Sequence, residues 1–241
     1  REAITHRQLQ HPNILPFLGI YREDDSSYPL TVLPFVERSS LQDMLASLGP
    51  GEVIKLPDFL IGCSRGLVYL HSRTPPIIHG DLHPGNVLVG EGISPLLCDF
   101  GRSRIRHDVS RGLSNHMDLE GGRIRFLAPE LWDSQGGHFC PTQDSDVFAL
   151  AMLYLNVWSG QLPFAEIASN RQVMAALNGG MHPLEPTMVT PLDPKTRGDF
   201  WKLLVDMWVH EAIKRPSANQ VLEQLEYILH QCKSVHCISF A

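Results

Sequence analysis

The stretch Ile77-Ile78-His79-Gly80-Asp81-Leu82-His83-Pro84-Gly85-Asn86-Val87-Leu88-Val89, followed after a short linker by Leu96-Leu97-Cys98-Asp99-Phe100-Gly101, decides the fold. It sets two carboxylates and a carboxamide beside apolar runs that can hold them still. Asp81 stands five residues before Asn86, and Asn86 stands thirteen before Asp99. Val87 to Val89 and Leu96 to Cys98 read as short buried strands, and Gly90-Glu91-Gly92 as the turn that folds them into a hairpin. Such a hairpin brings Asn86 and Asp99 side by side at one end. A carboxamide beside a carboxylate suits a hard, oxygen-ligated cation such as Mg²⁺, which takes few protein ligands and keeps phosphate and water for the rest. Asp81, on the loop before, is placed to accept the proton of an attacking hydroxyl.

Outward from this stretch, Arg1 to Gln10 reads as a helix stopped by Pro12. Ile14 to Tyr21 and Leu30 to Val36 read as strands, with Arg22 to Ser27 as the polar turn between them. Ser40 to Leu45 begins a short helix with Ser39 or Ser40 as N-cap. Asp58 to His71 carries Phe59, Leu60, Cys63, Leu67 and Leu70 at helical spacing, a stripe that faces a core. Val147 to Trp158 is the most apolar helix, too short to span a bilayer and carrying Asn156. Asp146, just before it, reads as an N-cap. Phe200 to Trp208 and Ala218 to Leu229 give two more amphipathic helices. His230-Gln231-Cys232 with His236-Cys237 lacks the second cysteine pair of a zinc site and reads as a flexible tail.

A chain of 241 residues holds one large domain or two small lobes. Its 43% hydrophobic and 19% charged residues are ordinary for a globular protein. The formal charge of −6 argues against a nucleic-acid or anionic-membrane partner chosen by electrostatics. Five cysteines, odd in number and scattered, suit reduced thiols better than a disulfide framework. The N-terminus has no signal-peptide pattern. A cytoplasmic protein without membrane or nucleic-acid partners is expected.

Residue by residue, the opening stretch resembles the protein kinase family. His79-Gly80-Asp81-Leu82-His83-Pro84-Gly85-Asn86 matches its H-R-D-L-x-x-x-N loop, and Asp99-Phe100-Gly101 its D-F-G. The resemblance implies ATP and Mg²⁺ as cofactors, with Asp81 as base, Asn86 and Asp99 as Mg²⁺ ligands, and His83 beside the transferred phosphate. It places Leu33 at the gatekeeper position, Pro34-Phe35-Val36 at the adenine hinge, Leu88 in the nucleotide site and Glu2 at the glutamate of the first helix. Glu2 reads equally as a helix-start acid favoured by the dipole. His79, Phe100, Glu130, Asp146 and Arg215 become structural residues. Glu130 closes the A-P-E-like Ala128-Pro129-Glu130 and pairs with Arg215 of Lys214-Arg215-Pro216, while Asp146 ties down the catalytic loop. The implied fold is α+β and bilobal: a truncated small lobe of one helix and two strands over 1–36, and a complete, mainly helical large lobe over 37–229. Residues 230–241 form the tail.

The sequence departs from the family pattern in several places. No G-x-G-x-x-G and no Val-Ala-Ile-Lys strand occurs, so the chain reads as a truncated kinase, by nature or through an incomplete gene record. Gly80 replaces an arginine that reads a phosphorylated loop, and His83 replaces a lysine, which predicts a slower enzyme. Gly122-Arg123-Ile124-Arg125-Phe126 lacks the threonine of serine/threonine kinases and the proline of tyrosine kinases. His-Gly-Asp-Leu-His-Pro-Gly-Asn also looks like the loop of aminoglycoside phosphotransferases, but the downstream motifs favour protein kinases. Met207-Trp208 before Lys214-Arg215-Pro216 looks most like the tyrosine-kinase-like group of serine/threonine kinases. Two functions follow from the resemblance: an ATP-dependent kinase acting on a protein substrate, or a pseudokinase binding a signalling partner as a scaffold.

Overall fold

Two prolines set the limits of the first hairpin. β1 (Gly19–Tyr21) and β2 (Leu30–Val32) pair antiparallel, with Gly19 opposite Val32 and Tyr21 opposite Leu30. Both are shorter than the strands expected over 14–21 and 30–36, because Pro16 and Pro34 have no N–H to give a ladder. Ile14 instead makes a lone parallel bridge to Leu97. Leu15 N donates to Leu97 O at 2.9 Å, and Leu97 N to Asn13 O at 2.9 Å.

The computed structural model describes residues 6–22, 30–37, 40–47, 53–54, 56–100, 104–105, 122–132, 140–186, 192–231 and 238–239. Glu2 with the first half of the helix expected over 1–10, most of the turn expected over 22–27, Gly101, Cys232, His236 and Cys237 lie outside the described residues.

α1 (Leu41–Ser47) starts at Ser40, whose Oγ accepts from Asp43 N at 3.2 Å while the Asp43 carboxylate takes Ser40 N at 3.3 Å. This reciprocal exchange satisfies two donors that a helix start leaves open. β3 (Val53–Ile54) leads into α2 (Leu56–His71), where Phe59, Leu60, Cys63, Leu67 and Leu70 are all fully buried as the spacing predicts. β4 (Ile77–Ile78), the hairpin β5 (Val87–Val89) and β6 (Pro95–Leu97), and β7 (Arg104–Ile105) follow. β6 begins and ends one residue earlier than expected, so that Pro95 stands opposite Val89.

α3 (Gln143–Ser159) is buried at every position from Ser145 to Ser159. A helix apolar on all sides belongs to the middle of a core, and α3 packs against both α2 and α5 (Pro194–Met207). Its N-cap is Thr142, whose side chain accepts from Ser145 N at 3.1 Å, while Thr142 N donates to Ser145 Oγ at 2.9 Å. Asp146 therefore lies inside the first turn and is not the cap. α4 (Asn170–Asn178) precedes α5, and α6 (Ala218–His230) closes against α2 and α5. α5 starts at Pro194, ahead of the expected Phe200, because the Asp193 carboxylate accepts from Lys195 N and Thr196 N, both at 3.1 Å. β8 (Ile238–Ser239) pairs antiparallel with β3, so part of the expected tail is in a strand.

Among the described residues every sheet is a small antiparallel pair, and six α-helices supply most of the regular secondary structure. The fold is mixed α+β and helix-rich. Among the same residues, no helix is long and apolar enough to cross a membrane, and Cys63, Cys98 and Cys140 are free thiols.

Candidate active site

The loop between β4 and β5 is held from below by α3. Asp146 accepts from His79 N through Oδ2 and from Gly80 N through Oδ1, both at 2.8 Å. Two consecutive N–H groups converge on one carboxylate because Gly80 takes φ 75°, a left-handed turn that costs glycine little. His71, at the end of α2, brings its Nε2 to 2.9 Å from Asp146 Oδ2, so the carboxylate joins two helices and the loop. The sequence reading missed His71, whose role depends on where α2 ends relative to α3.

The loop presents Asp81 and Asn86 to each other. The Asn86 amide nitrogen donates to Asp81 O at 2.9 Å and to Asp81 Oδ2 at 3.2 Å, and both residues are buried. With its nitrogen used in this way, Asn86 offers Oδ1 to a cation. Val87 pairs with Leu97, and Cys98 N donates to Asn86 O at 3.0 Å. The hairpin therefore sets Asn86 beside the strand end that continues to Asp99. Asp99 has φ 60°, a left-handed conformation that a short acidic side chain tolerates. His83 turns its Nδ1 to accept from Gly85 N at 3.1 Å, which leaves its Nε2 4.0 Å from Asp81 Oδ2.

Aromatic rings pack at tilted angles against the start of the loop. Phe100 lies 5.4 Å from His79 and 4.8 Å from His6, centroid to centroid, and all three are buried. Burial pushes the His79 imidazole below its ordinary value, against the opposing pull of Asp146 and Asp99.

The residues expected around a nucleotide fall into two groups. Pro34, Phe35 and Val36 line a cleft of about 570 Å³ together with His11, Val89 and Leu96. Phe35 is 91% exposed at its edge. Leu33 and Leu88 do not line that cleft. Leu88 alternates to the other face of β5 from the buried Val87 and Val89, and its backbone makes an isolated antiparallel bridge to Ser40.

Farther out, Arg215 grips Glu130 with both ends of its fork, at 2.6 Å and 2.9 Å. The same guanidinium donates to Val209 O at 2.8 Å and Asp144 O at 3.1 Å. Two further arginines were not expected as site residues. Arg125 donates to the carbonyls of Pro163 and Ile167, at 2.9 Å and 2.6 Å, and so ties its segment to the loop after α3. Arg123 donates from Nε to Asp81 Oδ1 at 2.7 Å, and its Nη2 lies against Asp81 Oδ2. The only sequence signal for Arg123 was the missing threonine at its position.

The sequence profile of the protein kinase domain matches residues 1–227. The chain is similar to serine/threonine-protein kinase 12 of Arabidopsis thaliana, at 29% identity over 95% of this chain and 47% of that protein. It is 31% identical to receptor-interacting serine/threonine-protein kinase 3 of Rattus norvegicus, over 90% of this chain and 46% of the relative. Serine/threonine-protein kinase TNNI3K of Mus musculus is 28% identical, over 95% of this chain and 26% of the relative. The chain thus spans about half or less of the length of these relatives.

Proposed function

Because the chain belongs to the protein kinase domain family, we propose that it is a serine/threonine kinase domain that transfers the ATP γ-phosphoryl group to a protein hydroxyl. One arrangement carries this reading: Asp81 and Asn86 are hydrogen bonded on a loop held by Asp146, beside the hairpin end that leads to Asp99. In this reading Asp81 takes the proton of the attacking hydroxyl. Asn86 Oδ1 and the Asp99 carboxylate hold Mg²⁺, since a sparse set of oxygen donors fits that ion. When bound, the ion neutralises phosphate charge. Leu33, Pro34, Phe35, Val36 and Leu88 receive the nucleotide, and Glu2 is the proposed partner of a phosphate-binding lysine. Residues 1–36 and 37–229 are the two lobes. In this reading the free thiols Cys63, Cys98 and Cys140 suit a reducing, cytoplasmic setting, and the formal charge of −6 argues against nucleic-acid or anionic-membrane partners chosen by electrostatics.

A second reading has its own observation. Arg123 occupies the Asp81 carboxylate, which favours a pseudokinase that binds a signalling partner through its helical lobe. Incubation of the chain with γ-labelled ATP, Mg²⁺ and casein separates the two. Transfer that Asp81→Asn abolishes supports the kinase reading. No transfer by folded wild-type protein contradicts it and leaves the binding module.

A further inference from the structure

The contact between Arg123 and Asp81 bears on which acceptors the site admits. Arg123 Nε is 2.7 Å from Asp81 Oδ1, and Nη2 lies against Oδ2. Oδ2 also takes the Asn86 amide at 3.2 Å. Both oxygens of the proposed base are therefore engaged, Oδ1 by the guanidinium and Oδ2 by the Asn86 amide, and a charge-assisted bond of this kind is a strong one. A hydroxyl can reach Asp81 only when the guanidinium moves off.

Where the guanidinium goes is constrained by its surroundings. Arg123 is half-buried and lines a cavity of about 290 Å³ beside the loop, with Gln42, His83, Gly122, Phe126 and Leu162 among its neighbours there. Among the described residues, none of those lining this cavity is acidic. A partly buried cation that leaves its carboxylate without a replacement is strongly disfavoured. With no second carboxylate among the described lining residues, a ligand carboxylate is the replacement that fits.

We propose that Arg123 determines acceptor specificity: it keeps Asp81 closed until a peptide with a glutamate or aspartate beside its hydroxyl supplies a second carboxylate to hold the guanidinium. This rests on the reading of Asp81 as a kinase base. The chain's formal charge of −6 repels acidic peptides at long range, so an acidic preference has to arise locally.

The test is fluorescence anisotropy of the 241-residue chain with two labelled serine peptides, one with glutamate on both sides of the serine and one with glutamine. Wild type is expected to bind the glutamate peptide about tenfold more tightly. Arg123→Thr should bind both alike, and Arg123→Lys should keep part of the preference. Thermal melts check that each variant folds, with Arg123→Gln used if the threonine variant does not. Equal binding by wild type, no binding of either peptide, or a preference kept by a folded Arg123→Thr or Arg123→Gln overturns the proposal. Binding needs no turnover, so a chain that selects acidic peptides but transfers no phosphate sinks the kinase reading and not the selectivity.

Discussion

Asp146 reaches Gly80 across 66 residues of sequence, its Oδ1 accepting the Gly80 N–H at 2.8 Å while Oδ2 takes the N–H of His79. The candidate base Asp81 follows directly, so its position is inherited from the central helix. Asp146→Ala removes the acceptor of two buried N–H groups and the partner of His71. Unfolding in urea should show a loss of about 3–5 kcal/mol. Asp146→Asn, which keeps one acceptor oxygen, should lose less. A loss below about 1 kcal/mol for the alanine variant would mean that the loop is held by other contacts.

Gly80 itself carries a prediction. At φ 75° a Cβ is strained whatever the space around it. Gly80→Ala should cost about 1–3 kcal/mol by the same measurement. An unchanged urea midpoint would show that the loop adopts another backbone conformation in solution.

Arg215 and Glu130 form a pair of unequal burial: the Arg215 side chain is 0% exposed and that of Glu130 30%. Arg215→Ala should cost about 3–5 kcal/mol, reduced somewhat by the exposure of Glu130. Arg215→Lys should recover only part of this, since an ammonium cannot reproduce two parallel bonds to Glu130 and the bonds to Val209 O and Asp144 O. Full recovery by lysine would contradict the fork geometry.

Acid should weaken the fold. His79 is fully buried, and burial holds its imidazole below the ordinary 6.5. The unfolded chain takes a proton that the folded chain refuses, so stability is kept above the unfolded value and lost as pH falls below it. The slope is up to about 1.4 kcal/mol per pH unit for one such proton. His11 and His182, also lowered chiefly by burial, act in the same direction. Urea midpoints from about pH 7.5 down to 5.5 measure this. The profile of His79→Phe should be flatter than that of wild type, and a wild-type profile without slope would contradict the account.

The parts of the fold that follow from local pattern were legible in the sequence. The apolar stripe of α2, the β5–β6 hairpin and the apolar run of α3 each follow from one periodicity and nearby turn residues. The strands expected over 14–21 and 30–36 ran through Pro16 and Pro34, although neither residue can donate to a ladder whatever its surroundings. The cap of α3 was harder: Thr142 and Ser145 exchange bonds without the usual Glu or Gln three residues on, while Asp146 offered a plausible but wrong cap. His71 on Asp146 and Arg123 on Asp81 are contacts over long sequence separations, decided by how whole segments dock. Nothing in the neighbourhood of His71 points to its contact, and for Arg123 the missing threonine at its position is the only sign.

The central claim is that Asn86 and Asp99 form half of a working nucleotide site. The direct test is calorimetric titration of the chain with ATP, with and without Mg²⁺, against Asp99→Asn. The account predicts saturable binding that requires Mg²⁺ and that Asp99→Asn loses. No binding by folded wild-type protein, or binding indifferent to both Mg²⁺ and Asp99, would contradict it.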